Sequence, residues 1–164
     1  MPRALSNNGD SQLVTAGWLS EHLDEPFVRV VDTRKGDGYA ASHIPSALCL
    51  DASPFLRDNG DVIGAKDFAG AMSRLGIDAS TSVVAYDDGN NLFAARLWWV
   101  LKYYGHADVR VLDGGWDRWV AEDRLRDNHE IIASPTRFEP KTTSSWKTDS
   151  DYVEASIRHS ERVI

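Results

Sequence analysis

The sequence predicts an α/β fold in three layers, a small parallel sheet flanked by helices on both faces. Its strand candidates, among them "FVRVVD" and "TSVVAYD", are short and almost wholly apolar, as strands covered on both faces must be. They alternate with segments of helical periodicity, the order that joins parallel neighbours by crossovers. The chain has 164 residues, 42% of them hydrophobic and 6 of them Trp, enough for one full core with something left over.

The elements follow in order. Residues 1–12, "MPRALSNNGDSQ", are polar and lack the apolar core of a signal peptide, so they read as a disordered lead-in. Thr15 is placed to cap a helix, "AGWLSEHL", whose Leu19 and Leu23 share a face, and Pro26 forbids its continuation. "FVRVVD" is a strand ending at Asp32; a glycine-containing loop then leads through "YAASHIPSA" to a second short apolar run, "ALCLD". "DFAGAMSRLG" sets Phe68, Met72 and Leu75 at helical spacing and closes on Gly76, a C′ residue. The strand "TSVVAYD" and a polar loop precede "FAARLWWVLKYYG". There Phe93, Leu97 and Leu101 lie on one side and Trp98, Trp99 and Tyr103 on others, which predicts a helix buried nearly all round. "DVRVLDGGWDRWVAE" repeats strand, turn and helix, with Gly114 and Gly115 supplying a tight turn and Trp116 and Trp119 joining the core. This unit spans residues 13–124.

Beyond it the character changes. Residues 125–147 are polar, rich in Ser and Thr and punctuated by Pro135 and Pro140, the composition of a linker. When the chain is slid along itself, Arg162, Val163 and Ile164 fall on Arg29, Val30 and Val31, Glu154 on Glu21 and Thr148 on Thr15. Residues 148–164 therefore read as the truncated start of a second module, without a sheet to join.

Composition narrows the function. With 18 Lys+Arg against 25 Asp+Glu the net charge is −7, which argues against nucleic acid or an anionic membrane as partner. The run Leu92 to Tyr104 is broken by Arg96 and Lys102 and is shorter than the roughly 20 residues of a membrane span. Cys49 is the only cysteine; it excludes a disulfide framework and a Cys-rich metal site, and fits a cytoplasmic protein. Lying inside the predicted strand "ALCLD" with no activating neighbour, it reads as an inert core thiol. There is no G-x-G-x-x-G, and no cofactor is expected. A metal-dependent aspartyl phosphotransferase would need a carboxylate two residues after Asp87, where Gly89 stands, and a cysteine phosphatase would need a cysteine in that loop.

Four segments, in order, resemble the rhodanese-type sulfurtransferase family: "VVDTR" at 30–34, "SHIPSA" at 42–47, "VVAYDDGNNLFAARLWW" at 83–99 and "VRVLDGGWDRW" at 109–119. The resemblance is closest to the N-terminal half of the two-domain enzymes that move sulfane sulfur from thiosulfate or 3-mercaptopyruvate. It implies a rhodanese-like fold and a partner, the C-terminal rhodanese module. In that family the C-terminal module usually carries the nucleophile, a cysteine at the end of a central strand whose persulfide is cradled by loop N–H groups. Here that position holds Asp87, or Asp88 if the loop register moves by one.

A carboxylate cannot carry a persulfide, but it can occupy an amide cradle. The loop Asp87, Asp88, Gly89, Asn90, Asn91, Leu92 thus reads as a pseudo-active site, with no catalytic residue and no metal. Asp32 and Arg34 are candidates for an ion pair or loop brace, His43 for a hydrogen bond that ties down its loop, and Arg96 for pairing with Asp87 or Asp88. In the intact protein the module would pack on its catalytic partner, which handles the small sulfur-donor substrate; alone it would be inactive and prone to self-association. The alternative is a stand-alone rhodanese-like domain that binds an anion or serves as a scaffold for a protein partner.

Overall fold

The computed structural model describes residues 11–57, 59–148 and 150–157. The first ten residues of the polar lead-in, and Arg162 to Ile164 of the repeated strand, lie outside them.

The sheet has five strands in the order β1-β5-β4-β2-β3: β1 Leu13–Val14, β2 Val28–Asp32, β3 Leu48–Cys49, β4 Ser82–Tyr86 and β5 Val109–Leu112. Every pairing is parallel. Central β4 is buried along its whole length, and its register with β2 sets Val31 beside Ala85 and Asp32 beside Tyr86.

Alternation along the strands divides the core in two. Val30, Val84, Tyr86 and Leu112 face Leu19, Tyr39, Ile44 and Trp119 on one side. Val31, Val83, Ala85 and Val111 face Phe68, Met72, Leu97, Leu101 and Phe138 on the other. The first layer is built by α1 (Ala16–His22), α2 (Gly36–Ala41) and α5 (Gly115–Ala121), the second by α3 (Ala65–Arg74) and α4 (Leu92–Tyr103). The predicted three layers are therefore present.

Local chemistry explains the boundaries. The Thr15 hydroxyl accepts the Trp18 N–H at 3.1 Å and starts α1. Helix α3 carries Asp67 in its first turn and Arg74 in its last, charges that suit the two ends of its dipole. It stops where Gly76 takes φ +66°, the left-handed C′ conformation that glycine adopts at no cost.

Three features differ from expectation. Strand β1 joins the sheet edge through only two residues, fixed by the Val111 N–H on the Gln12 carbonyl and the Asp113 N–H on the Val14 carbonyl. Helix α2 forms within the segment read as loop; two of its six residues are Gly, so tertiary contacts sustain it, chiefly buried Tyr39, whose hydroxyl donates to the Ala47 carbonyl at 2.9 Å. Helix α4 is fully buried only toward the sheet, at Ala94, Leu97, Val100 and Leu101; Phe93, Trp98, Trp99 and Tyr103 are half-buried, and Leu92 is 56% exposed.

After α5 the chain runs through residues 125–143 without helix or strand, then makes a 3₁₀ turn at Ser144–Trp146 and helix α6, Ser150–Ile157. Among the described residues no helix is long and apolar enough to cross a membrane.

Candidate functional site

The carboxyl end of β4, where a parallel sheet opens toward its ligands, delivers the chain into the loop 87–92. Asp87 is 2% exposed, and its carboxylate points inward. Oδ1 accepts the N–H of Gly89 at 3.0 Å and of Asn91 at 2.9 Å. Oδ2 accepts those of Phe93 at 3.1 Å and Ala94 at 3.2 Å. Phe93 and Ala94 belong to the first turn of α4, whose N–H groups have no partner within the helix. The Leu92 N–H goes to Asn90 Oδ1 at 3.0 Å. One carboxylate thus fills a cradle of four amides at the positive end of a helix dipole.

The loop geometry selects Asp87 over Asp88, which is exposed. Gly89 has φ +141° and Asn91 φ +59°, and these two left-handed residues curl the backbone around the carboxylate. The second turn, at 113–117, grips the first. The Trp116 N–H donates to the Asp87 carbonyl at 2.8 Å and the Asp117 N–H to the Asp88 carbonyl at 2.9 Å. Such proximity requires glycine: a Cβ on Gly115 would stand 2.6 Å from the Asp87 carbonyl oxygen and 2.9 Å from the Gly89 nitrogen. Sequence reasoning found a tight turn at Gly114 and Gly115 but missed this clamp; the signal was a glycine pair at the start of a helix beside the loop-bearing strand. Asp113, which follows β5, is half-exposed and pairs with Arg118 at 2.9 Å.

Beneath the cradle lies a buried polar brace. Asp32 and Arg34 form an ion pair, with Arg34 Nη2 2.7 Å from Asp32 Oδ2 and both side chains buried. The Arg34 amide reaches Oδ1 at 2.9 Å, and the Tyr86 hydroxyl donates to Oδ2 at 2.6 Å. Arg34 Nη2 also donates to the Ser42 carbonyl at 2.6 Å, and its guanidinium lies 4.3 Å from the Trp116 ring centre. Burial opposes the charge of Arg34, but the hydrogen bond and charge of Asp32 outweigh it and hold its pKa above the ordinary value. Burial, then the Asp32 charge, push the Tyr86 phenol far up, so it stays a donor. His43 is fully buried, its Nδ1 2.8 Å from the Tyr39 carbonyl and its ring stacked 3.9 Å from that of Tyr39.

Two expectations are corrected. Arg96 does not pair with Asp87 or Asp88; its Nη1 donates to the Ser53 carbonyl at 2.9 Å, because at the second turn of α4 its side chain faces the 3₁₀ turn Ser53–Phe55 and not the cradle. Cys49 is not a core residue: β3 is an edge strand and the cysteine is exposed. Burial of part of its side chain, then the charge of Asp32, nevertheless raise its pKa, so less thiolate is present at neutral pH than in a free thiol. Iodoacetamide is expected to label Cys49 more slowly than it labels free cysteine at pH 7.5; mass-resolved labelling at an equal or faster rate would show an activated thiol. Among the described residues no group of three or more His, Cys, Asp or Glu could hold a metal ion.

A rhodanese-like domain family model matches residues 15–122. The sulfur carrier protein TtuD of Thermus thermophilus is 40% identical over 133 residues, covering 77% of this chain and 46% of that one. A thiosulfate sulfurtransferase of Corynebacterium glutamicum is 40% identical over 116 residues, covering 69% and 38%. The crystal structure of the 3-mercaptopyruvate sulfotransferase SseA from Escherichia coli superposes with a TM-score of 0.79 at 26% identity, covering 90% of this chain and 62% of that one. The chain thus spans less than half the length of these two curated relatives. The match to the family model covers more than half of the sequence, and the chain belongs to the rhodanese-like domain family, as one module related to the two-domain sulfurtransferases.

Proposed function

We propose that this chain is the N-terminal, non-catalytic module of a tandem sulfurtransferase in which sulfane sulfur from thiosulfate or 3-mercaptopyruvate is carried by a cysteine of a C-terminal module. The carrying observation is the Asp87 carboxylate, which takes four backbone N–H groups where the reaction needs a thiolate. A carboxylate has no sulfur to accept, so the module keeps the fold without the reaction. The proposed organisation is a module over 13–124, a connection over 125–147 and the start of a second module from 148. The relatives' greater length supports it, as does helix α6 at Ser150–Ile157, where the internal similarity to α1 puts a helix. A cytoplasmic location is proposed from the single unpaired cysteine.

The second reading, a stand-alone anion-binding domain, is disfavoured at this loop. The amides of residues 89, 91, 92, 93 and 94 are all taken by side chains of the loop itself, which leaves few donors for an outside anion. A scaffold that docks a protein retains support from Leu92, 56% exposed beside the cradle. In the tandem reading the same side chain helps face the partner module, and the isolated chain self-associates through such apolar surface. Intact-mass analysis after incubation with thiosulfate or 3-mercaptopyruvate tests the proposal: no added sulfur is expected, and a persulfide on Cys49 would overturn it.

A further inference from the structure

We propose that residues 125–143 are a strap belonging to the folding unit of the module, which extends past the 15–122 span of the family model and includes this polar segment as the C-terminal cap of two helices. The strap begins on the α1/α2/α5 layer. The Trp119 indole donates to the Leu125 carbonyl at 2.8 Å. His43 and Asp127 exchange backbone hydrogen bonds of 2.7 and 2.9 Å, and the Ile131 N–H donates to the Tyr39 hydroxyl at 3.1 Å. The chain then crosses to the α3/α4 layer on the other side of the sheet.

There it meets helix ends, whose last carbonyls have no intrahelical partner. The Thr136 N–H donates to the Ser73 carbonyl of α3 at 3.0 Å, and the N–H groups of Lys141 and Thr143 donate to the carbonyls of Tyr104 and Tyr103 at the end of α4, at 2.9 and 2.8 Å. Thr136 Oγ1 donates to the Ile77 carbonyl and the Phe138 N–H to Ser73 Oγ, at 2.9 and 3.0 Å. Both helices end in a left-handed glycine over which the strap passes. A Cβ on Gly76 would stand 2.9 Å from the Ser134 carbonyl oxygen, and one on Gly105 2.8 Å from that of Lys141.

Between the two caps Phe138, 6% exposed, enters the core and sets its ring edge-on to Phe68 at 5.6 Å. The strap works mostly through its backbone groups, with the Thr136 hydroxyl and one aromatic anchor besides, so its composition remains that of a linker. Clasping both helical layers, it makes their stability common. This holds under either functional reading.

Native-state amide exchange on the intact chain tests this. The amides of Thr136, Phe138, Lys141 and Thr143 are expected to exchange through the same global opening as those of β4, with protection within about tenfold of Ala85. Protection lower than that by a larger factor would overturn the proposal. Phe138→Ala is expected to lower Tm by about 10 °C, and Arg137→Ala, whose side chain is 87% exposed, to leave it unchanged. Equal shifts in the two variants would contradict the strap, and the exchange experiment decides even if Phe138→Ala does not fold.

Discussion

Asp87→Ala is expected to cost about 4 kcal/mol of stability. The carboxylate takes four N–H groups, two from the loop and two from the first turn of α4. Removing it leaves those donors to whatever water can enter, at about 1–3 kcal/mol for each that stays dry. Gly89, Asn91 and Phe93 are only partly buried, so some are rehydrated and the total falls short of the full sum. Asp87→Asn is expected to lie between wild type and alanine: the amide has one acceptor oxygen, while its NH₂ would face N–H groups. Asp88→Ala, one residue away but exposed, should change stability by less than about 0.5 kcal/mol. Urea denaturation of the three variants checks the order. Equal losses at 87 and 88 would mean that no carboxylate fills the cradle.

Arg34→Met is expected to cost about 3–5 kcal/mol, because it leaves the Asp32 carboxylate fully buried without its counter-charge, held by the Tyr86 hydroxyl and a backbone amide. The double variant Asp32→Leu/Arg34→Met should recover much of that loss, since two apolar side chains need no partners. Such recovery measures the pair by a double-mutant cycle. Additive losses would place the energy in the outer contacts, the Ser42 carbonyl and the face of Trp116, and not in the ion pair.

The fold was largely legible because most of its elements announce themselves by period. The apolar strands β2, β4 and β5, the capping Thr15 and the terminal Gly76 each have a local chemical cause. Strand β1 was not legible: two residues have no period, and what makes them a strand is β5, about a hundred residues away. Helix α2 was hidden by Gly36 and Gly38, which lower helix propensity, while its support from Ala47 lies outside the segment. The strap was hidden for another reason. Its contacts are mostly made by backbone N–H groups, which every residue but proline owns, and only Phe138, a lone aromatic in a polar stretch, hinted at them.

At the site, the order strand, acidic loop and apolar helix was enough to find the cradle. The choice between Asp87 and Asp88 was not readable, because it depends on the left-handed turns at Gly89 and Asn91. Arg96 was misjudged because closeness in sequence to the loop outweighed the helix face on which it lies. The position of Cys49 required the strand order, since whether a short apolar strand is central or an edge is a property of the whole sheet.

Cyanide-dependent thiocyanate formation from thiosulfate, measured on this chain beside its Cys49→Ala variant, tests the central claim that a carboxylate holds the place of the nucleophile. No turnover is expected from either protein. Turnover by the wild-type chain that disappears in Cys49→Ala would contradict the account and make the exposed edge-strand cysteine the nucleophile.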